Sequence, residues 1–477
     1  MESTWWTALS LGAGYVVSLL LVRSALMRKR SQPVATVAWI MVIVSVPFLG
    51  GLLFLIFGIN QVERRLKQKV AASRDLADSL PDLTNYVSSP EELNDLQSRL
   101  ARLATVTCGL PVTAQNRIEI LGDAIAAQDR IEAAIKGATD CIHLEYYIWR
   151  PDRTGRQVRD LLIDRARQGV TVRFLYDGIG SIGLSRKFLN PMREAGIRVA
   201  SFLPGKSLRE RWSLNLRSHR KIVVVDGRLG FTGGMNIGDE YVGRRPQIAH
   251  WRDTHLELHG PTVLQLQQVF AEDWYYATDE EVTSPSRFPV PSETGNEVAQ
   301  VVSGGPVGES RPFHALMFTA INEARRRVTL TTSYFVPTAA LVMALETAAL
   351  RGVDVRLLVP SQSTYYWTLM AGRSYYESLL RSGVTIHEYT KGMLHSKTLT
   401  VDGCWSLVGT PNFDARSLNL NFEVAVAMFG SRIARELEEH YEADLLGAVP
   451  ILSAEWDGRP LRKVFIENFF RLFSPLM

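Results

Sequence analysis

Two stretches of this chain carry the same reactive side chains at the same spacing. The first, Ser218 to Asn236, contains His219, Lys221, Asp226, Gly233 and Asn236; the second, Leu394 to Asn412, contains His395, Lys397, Asp402, Gly409 and Asn412. In each, Lys stands two residues after His, Asp seven, Gly fourteen and Asn seventeen. One such match is a weak signal; two that agree at five positions mark a repeated structural unit. Two imidazoles, two ammonium groups and two carboxamides around one small volume suit a phosphodiester. The lysines and asparagines donate to non-bridging oxygens and stabilise the charge of a five-coordinate phosphorus transition state. One neutral histidine attacks phosphorus and forms a covalent intermediate. The other, protonated, donates to the leaving alkoxide and then takes a proton from the incoming alcohol or water. This scheme requires no metal and no cofactor. The nine histidines contain no His-Glu-x-x-His pair, and the three cysteines, Cys108, Cys141 and Cys404, are odd in number and dispersed, which argues against a disulfide framework and a Cys-based zinc site.

The elements that must position these groups are strands. The β-branched run Ile222-Val223-Val224-Val225 predicts a buried strand, and its period of two puts His219 and Lys221 on one face. Asp226-Gly227 and Asp402-Gly403 are hairpin-turn signals. Each return strand ends in Gly-Gly or Gly-Thr, where a backbone can approach a ligand, so Gly233 and Gly409 join Asn236 and Asn412 as candidate substrate-binding residues. A reactive imidazole also needs an acceptor on its second nitrogen. Parity places Asp226 on the face opposite His219, so although Asp226 and Asp402 complete the two candidate catalytic sets, they read as structural. Asp253 and Glu423, each at a strand downstream of its motif, read as the orienting carboxylates. The pattern also allows the two carboxylate pairs to exchange roles, and surface salt bridges are the plain alternative for Asp253 and Glu423. For the motif sets the plain alternative is core histidine; a duplicated lysine on the same buried face argues against it, because buried lysines are rare unless paired.

The paired His-x-Lys-x4-Asp pattern resembles the phospholipase D superfamily. The wider matches resemble its bacterial cardiolipin synthase branch: His219 to Asp226, Phe231 to Tyr241, Trp251 to His255, Tyr334 to Pro337 and Val408 to Leu418. The resemblance implies two tandem phospholipase D-like domains with mixed β-sheets flanked by helices, related by a pseudo-two-fold axis, and a site between them. It implies a phosphatidyltransferase that joins two phosphatidylglycerols into cardiolipin and releases glycerol through a phosphatidyl-histidine, with Glu240, Tyr334 and Arg416 near the site. The implied partners are phosphatidylglycerol, anionic phospholipids and a membrane, without nucleic acid. A hydrolase of the same superfamily and a non-catalytic membrane adaptor are the rival readings; intact His, Lys and Asn in both halves count against the adaptor. Where the family often has Ser after the motif glycine, this chain has Gly234 and Thr410.

The rest of the chain fits an α/β class. Its 477 residues are 46% hydrophobic, with net charge +4, a modest basic lean that suits anionic partners. Residues 1–59 read as two transmembrane helices: Trp5–Val22 and Val34–Gly58 are uncharged runs above the roughly 18-residue threshold for a span. A cleaved signal peptide is the rival for the first run, which lacks a basic leader. The charges flanking the pair nearly tie; the resemblance and the unpaired cysteines favour a multi-pass protein of the bacterial inner membrane with cytoplasmic catalytic domains. Residues 60–110 read as a helical connector, a plain spacer. Residues 111–278 form the first domain, 279–297 a linker, 298–450 the second domain and 451–477 an amphipathic tail. Alternating helices and strands recur in both halves, and Arg167 to Leu175 aligns with Leu350 to Leu358. The basic run Lys206, Arg209, Arg211, Arg217 and Arg220, with Trp212, suits lipid phosphates or a solvated loop. The tail suits either the membrane interface or packing on the second domain.

Overall fold

The computed structural model describes residues 16–27, 33–55, 62–83, 86–87, 93–202, 216–245, 250–291, 295–306 and 311–477. Most of the basic run, from Lys206 to Trp212, lies outside them, as do the tryptophans at the start of the first apolar run. The chain divides into two units, Met1–Lys67 and Gln68–Met477.

In the first unit, residues 16–27 are helical. The second apolar run is two helices, Pro33–Ser45 and Pro47–Leu53. The break falls at Val46, which is extended at φ −135° because the ring of Pro47 disfavours helical backbone in the residue before it. No helix among the described residues is long and apolar enough to cross a membrane. Ala25, Ile43 and Phe54 make a small core, with Leu21, Val22 and Trp39 packed against it. Ser18 and Thr36 are buried while Leu20, Met41, Phe48 and Leu52 are exposed, so much of the outer surface of this unit is apolar.

The second unit is built on one long mixed sheet whose two halves mirror each other. The first half contributes β1 (Thr113–Leu121), β2 (Cys141–Tyr146), β3 (Thr171–Asp177), β4 (Arg198–Phe202), β5 (Lys221–Val225), β6 (Leu229–Gly233) and β7 (His255–His259). The second contributes β8 (Glu297–Gly304), β9 (Arg327–Thr331), β10 (Asp354–Pro360), β11 (Thr385–Tyr389), β12 (Thr398–Val401), β13 (Trp405–Gly409), β14 (Asn421–Phe429) and β15 (Ala448–Pro450). Across the sheet the order is β4-β3-β2-β5-β6-β7-β1, then β8-β14-β13-β12-β9-β10-β11-β15. The halves join where β1 pairs antiparallel with β8. Parallel pairs β2–β3–β4 and β9–β10–β11 require helical crossovers. These include Arg153–Arg167, capped by Asp152, and Ala339–Leu350, capped by Thr338. Between β10 and β11 the chain forms two short helices, Tyr366–Arg373 and Tyr376–Arg381. The connector is more than a spacer: its helix Asp95–Cys108 puts Leu100, Ala101 and Ala104 into the second half's core with Phe313, Leu316 and Ala320.

Both motif hairpins turn in the same way. Asp226 and Gly227 have φ of 53° and 64°, Asp402 and Gly403 54° and 65°, the left-handed pair of a type I′ turn. That turn aims the aspartate at the start of the neighbouring strand. Asp226 accepts backbone N–H bonds from Thr139, Asp140 and Cys141, each at 2.8 Å. Asp402 accepts them from Arg325, Arg326 and Arg327 at 2.9, 2.8 and 3.0 Å. Burial opposes ionisation of Asp226, but these amides and the Thr139 hydroxyl outweigh it and hold the carboxyl below its usual range. Both aspartates are therefore clamps at the far end of the hairpin, roughly 16 Å of strand away from the lysines, and do not belong with the catalytic side chains.

Asp226→Ala or Asp402→Ala leaves three strand-end amides without an acceptor. Each should cost about 1–3 kcal/mol of stability, read as a lower denaturation midpoint of the second unit. A midpoint unmoved in both variants would remove the clamp.

Candidate functional site

The two motifs meet across the junction of the halves. Just before β5, Arg217–Ser218 pairs in parallel with Asn421–Phe422 of β14. Just before β12, Met393–Leu394 pairs in parallel with Trp251–Arg252. Each histidine is thereby laced to the other half. The His219 N–H donates to the Phe422 carbonyl at 2.8 Å, and the His395 N–H to the Arg252 carbonyl at 2.7 Å. The side chains follow. His219 Nδ1 lies 2.8 Å from Glu423 Oε2, and His395 Nδ1 lies 2.7 Å from Asp253 Oδ2. An ionised carboxylate only accepts, so each contact puts the imidazole proton on Nδ1 and leaves a lone pair on Nε2.

Burial pushes both imidazoles down to about 4; the neighbouring lysines add to this, and the paired carboxylates only partly offset it. The carboxylates move the other way. Burial would raise Glu423, but His219, Lys221 and Thr410 hold it below its ordinary value; His395, Lys397 and the Thr254 amide do the same for Asp253. The site therefore holds neutral imidazoles against ionised carboxylates at neutral pH.

The lysines share that face, as the strand period requires. Lys221 Nζ donates to the His219 carbonyl at 2.7 Å and sits 5.3 Å from the centre of the Tyr147 ring. Lys397 Nζ donates to the His395 carbonyl and, at 2.6 Å, to Ser333 Oγ. Burial lowers Lys221 to about 7 and Lys397 to about 8. The asparagine side-chain oxygens are engaged, Asn236 by the Ile148 N–H at 3.1 Å and Asn412 by Ser333 Oγ at 2.8 Å. That leaves their NH2 groups as donors.

The motif glycines have a packing role. A Cβ on Gly233, at φ +149°, would lie 2.6 Å from His255 Cα, and one on Gly409 would lie 2.4 Å from Ala425 Cα. Both glycines thus allow a close approach to the neighbouring strand. The next residues explain the departure from Ser. A Cβ on Gly234 would come within 2.0 Å of Asp253 Oδ1, so glycine makes room for that carboxylate. Thr410 instead donates its hydroxyl to Glu423 Oε2 at 2.5 Å, and Asn421 donates to Glu423 Oε1 at 3.1 Å.

Tyr147, whose ring lies edge-on to His219 at 4.9 Å, Trp251, 5.1 Å from the His395 ring, and Ser333 were not singled out in the sequence. Only the place of Tyr147 and Ser333 at the ends of corresponding strands could have marked them. Glu240 is paired with Arg150 and Arg245, and Tyr334 with Thr364. Arg220 is no solvated cation: it is buried against Asp273, which also pairs with Lys69 at 2.7 Å. Among the described residues, no group of three or more His, Cys, Asp or Glu side chains is placed to share a metal ion.

Comparison with known proteins matches this architecture. A family described as "Cardiolipin synthase, PLD-like domain" matches residues 131–274 and 317–445, once in each half, and one described as "Phospholipase_D-nuclease N-terminal" matches residues 16–58. A cardiolipin synthase of Geobacillus thermodenitrificans is 37% identical over 463 residues, covering 96% of this chain and 92% of its own. Cardiolipin synthase 2 of Bacillus cereus is 36% identical over 466 residues, covering 97% and 91%. Among solved structures, a phosphatidylserine synthase of Haemophilus influenzae superposes with a TM-score of 0.62 at 13% identity, over 80% of this chain and 100% of that one; at that identity the likeness is one of fold.

Neutral buried histidines make stability depend on pH. His219, His255 and His395 are held at about 4 and His143 at about 3, in each case chiefly by burial. Unfolded, they take up protons near 6.5. Between roughly pH 6.5 and 4 the unfolded chain binds more protons, so stability is complete above that window and falls as pH falls through it. Each histidine adds at most about 1.4 kcal/mol per pH unit. Replacing His219 and His395 together by Gln should flatten the slope in denaturation series at pH 5, 6 and 7. An unchanged slope would mean that the two imidazoles are not buried as neutral groups.

Proposed function

We propose the following division of labour for a chain that belongs to the phospholipase D-like cardiolipin synthase family. The protein is a phosphatidyltransferase, a cardiolipin synthase. On this reading its donor and acceptor are both phosphatidylglycerol. His219 Nε2 attacks the phosphorus of one molecule. The phosphorus–oxygen bond to the headgroup glycerol breaks as His395 Nε2 gives that oxygen its proton, and a phosphatidyl-histidine remains. A second phosphatidylglycerol then loses a hydroxyl proton to His395 Nε2 and attacks phosphorus. The phosphorus–nitrogen bond breaks, yielding cardiolipin and regenerating His219. Lys221, Lys397 and the amides of Asn236 and Asn412 hold the non-bridging oxygens. Glu423 and Asp253 orient the imidazoles.

The observation that carries this reading is the crossed pairing, which leaves a lone pair on each Nε2, with buried Lys221 and Lys397 within electrostatic reach of both imidazoles. The carboxylates also support the assignment of His219 as nucleophile. Glu423 receives donors from His219, Thr410 and Asn421, whereas Asp253 receives them from His395 and the Thr254 N–H. A carboxylate shared among more donors stabilises an imidazolium less. His219 is thus the imidazole kept neutral and His395 the one that can carry the second proton. The exposed apolar side chains of residues 16–27 and 33–55 support a membrane-embedded hairpin that keeps the site where lipid alcohol outcompetes water; we place the enzyme at a bacterial inner membrane, its catalytic halves on the cytoplasmic side.

In mixed micelles with phosphatidylglycerol and no added metal, the protein should release cardiolipin and glycerol in equal amounts. Phosphatidic acid with glycerol and no cardiolipin would make water the acceptor and the protein a hydrolase. His219→Ala and His395→Ala should each abolish synthesis, and Asp253→Asn or Glu423→Gln should lower kcat by about 10- to 100-fold. A phosphatidyl p-nitrophenol, whose leaving group needs no proton, separates the histidines. His395→Ala should still release one nitrophenolate per chain and carry the phosphatidyl group on His219, while His219→Ala should release none. The opposite result would exchange their roles.

A further inference from the structure

The helix Leu461–Arg471 is built inside out. Its single acid, Glu467, is buried and pairs with Arg459 at 3.1 Å. Phe470 packs edge-on against Tyr366, and the Arg471 guanidinium lies over the Tyr375 ring at 4.2 Å. These contacts fix the helix on the second half. Its other face carries Leu461, Phe465, Phe469 and Leu472, spaced by four, four and three residues, which is one stripe of an α-helix. That stripe points outward: Leu461 is 86% and Phe465 72% exposed. The exposed charges of this helix, on Arg462, Lys463 and Arg471, are all basic.

The apolar surface continues towards the site. Tyr365 and Trp367 are about half exposed and lie 5.2 Å apart, ring to ring. Tyr365 in turn faces the Tyr334 ring at 6.2 Å, and Tyr334 follows Ser333, the partner of Lys397. A fixed apolar and aromatic ledge with a basic flank thus leads to the reacting groups.

We propose that this ledge is an interfacial docking surface for an anionic lipid bilayer and the path by which lipid substrate reaches the site. The inference rests on the phosphatidyl-transfer reading. Eleven residues span about 16 Å, half of the roughly 30 Å hydrocarbon core, so the helix lies in the interface with its stripe among the acyl chains. Its basic side chains meet lipid phosphates. A partner protein would satisfy the apolar stripe equally well. The one-signed charge and the continuity with a site for lipid phosphodiesters favour the bilayer.

The test uses the full chain reconstituted into phosphatidylcholine vesicles containing phosphatidylglycerol. In the first arm, Phe465→Cys carries an environment-sensitive NBD label, with the unsubstituted chain as background for the native cysteines. Its emission should shift to the blue and be quenched by spin-labelled lipid. A probe that stays in water would overturn the proposal. So would disulfide cross-links between two unlabelled copies of the Phe465→Cys chain, formed through the introduced thiol, which would assign the stripe to a second copy. In the second arm, Phe465→Glu with Phe469→Glu should lower turnover of vesicle phosphatidylglycerol at least about tenfold, with turnover of monomeric dihexanoyl-phosphatidylglycerol kept within about twofold. Equal losses on both substrates, or none on either, would overturn it. If the unsubstituted chain made no cardiolipin from either substrate, the transfer reading would fail, while the probe arm would still report whether the ledge meets lipid.

Discussion

Everything in the second unit turns on one reciprocal contact: each half's histidine is held by the other half's carboxylate. The crossing is enforced twice, by backbone bonds from His219 to Phe422 and from His395 to Arg252, and by the side-chain pairs His219–Glu423 and His395–Asp253. Neither half could bury its own carboxylate alone. Losing either imidazole would remove a hydrogen-bond donor from a buried carboxylate, at about 1–3 kcal/mol for each. The same contact that aligns the chemistry therefore fastens the halves, and the continuous sheet through β1 and β8 keeps the two crossings in register.

Within a symmetric scaffold the two centres differ, and the differences lie where the backbone repeat would predict identity. Tyr147 and Ser333 each lie six residues beyond the first strand residue of β2 and β9. One presents a ring to Lys221 and the other a hydroxyl to Lys397. Gly234 and Thr410 also correspond, one clearing space for Asp253 and the other donating to Glu423. The orienting acids themselves differ by a methylene. A duplicated fold thus supplies the geometry, and a few substitutions around it divide the work between two otherwise equivalent imidazoles.

Much of this was legible in residue order because strand period and turn chemistry are local. The β-branched run after His219 predicted its strand and its face, and parity alone removed Asp226 from that face. The crossing was not legible: Asp253 and Glu423 could be recognised as acceptors, but which imidazole each would meet is set by how the short parallel bridges lace the halves. The packing role of the glycines was hidden for a related reason. A residue without Cβ signals a close approach without saying to what, and the neighbour proved to be the adjoining strand. Arg220 read as part of an exposed basic run because its partner, Asp273, lies more than fifty residues away and on another element.

The electrostatics of the site bear on how it works. Two buried ammonium groups repel each other, and burial holds Lys221 near 7 and both imidazoles near 4. Such a site is short of negative charge. A phosphodiester anion between the lysines supplies it, which raises the proton affinity of every neighbouring base. Binding of a phosphodiester there would draw a proton into the site, the proton that the general acid of the proposed scheme requires. On this view the general acid is loaded by the substrate it serves.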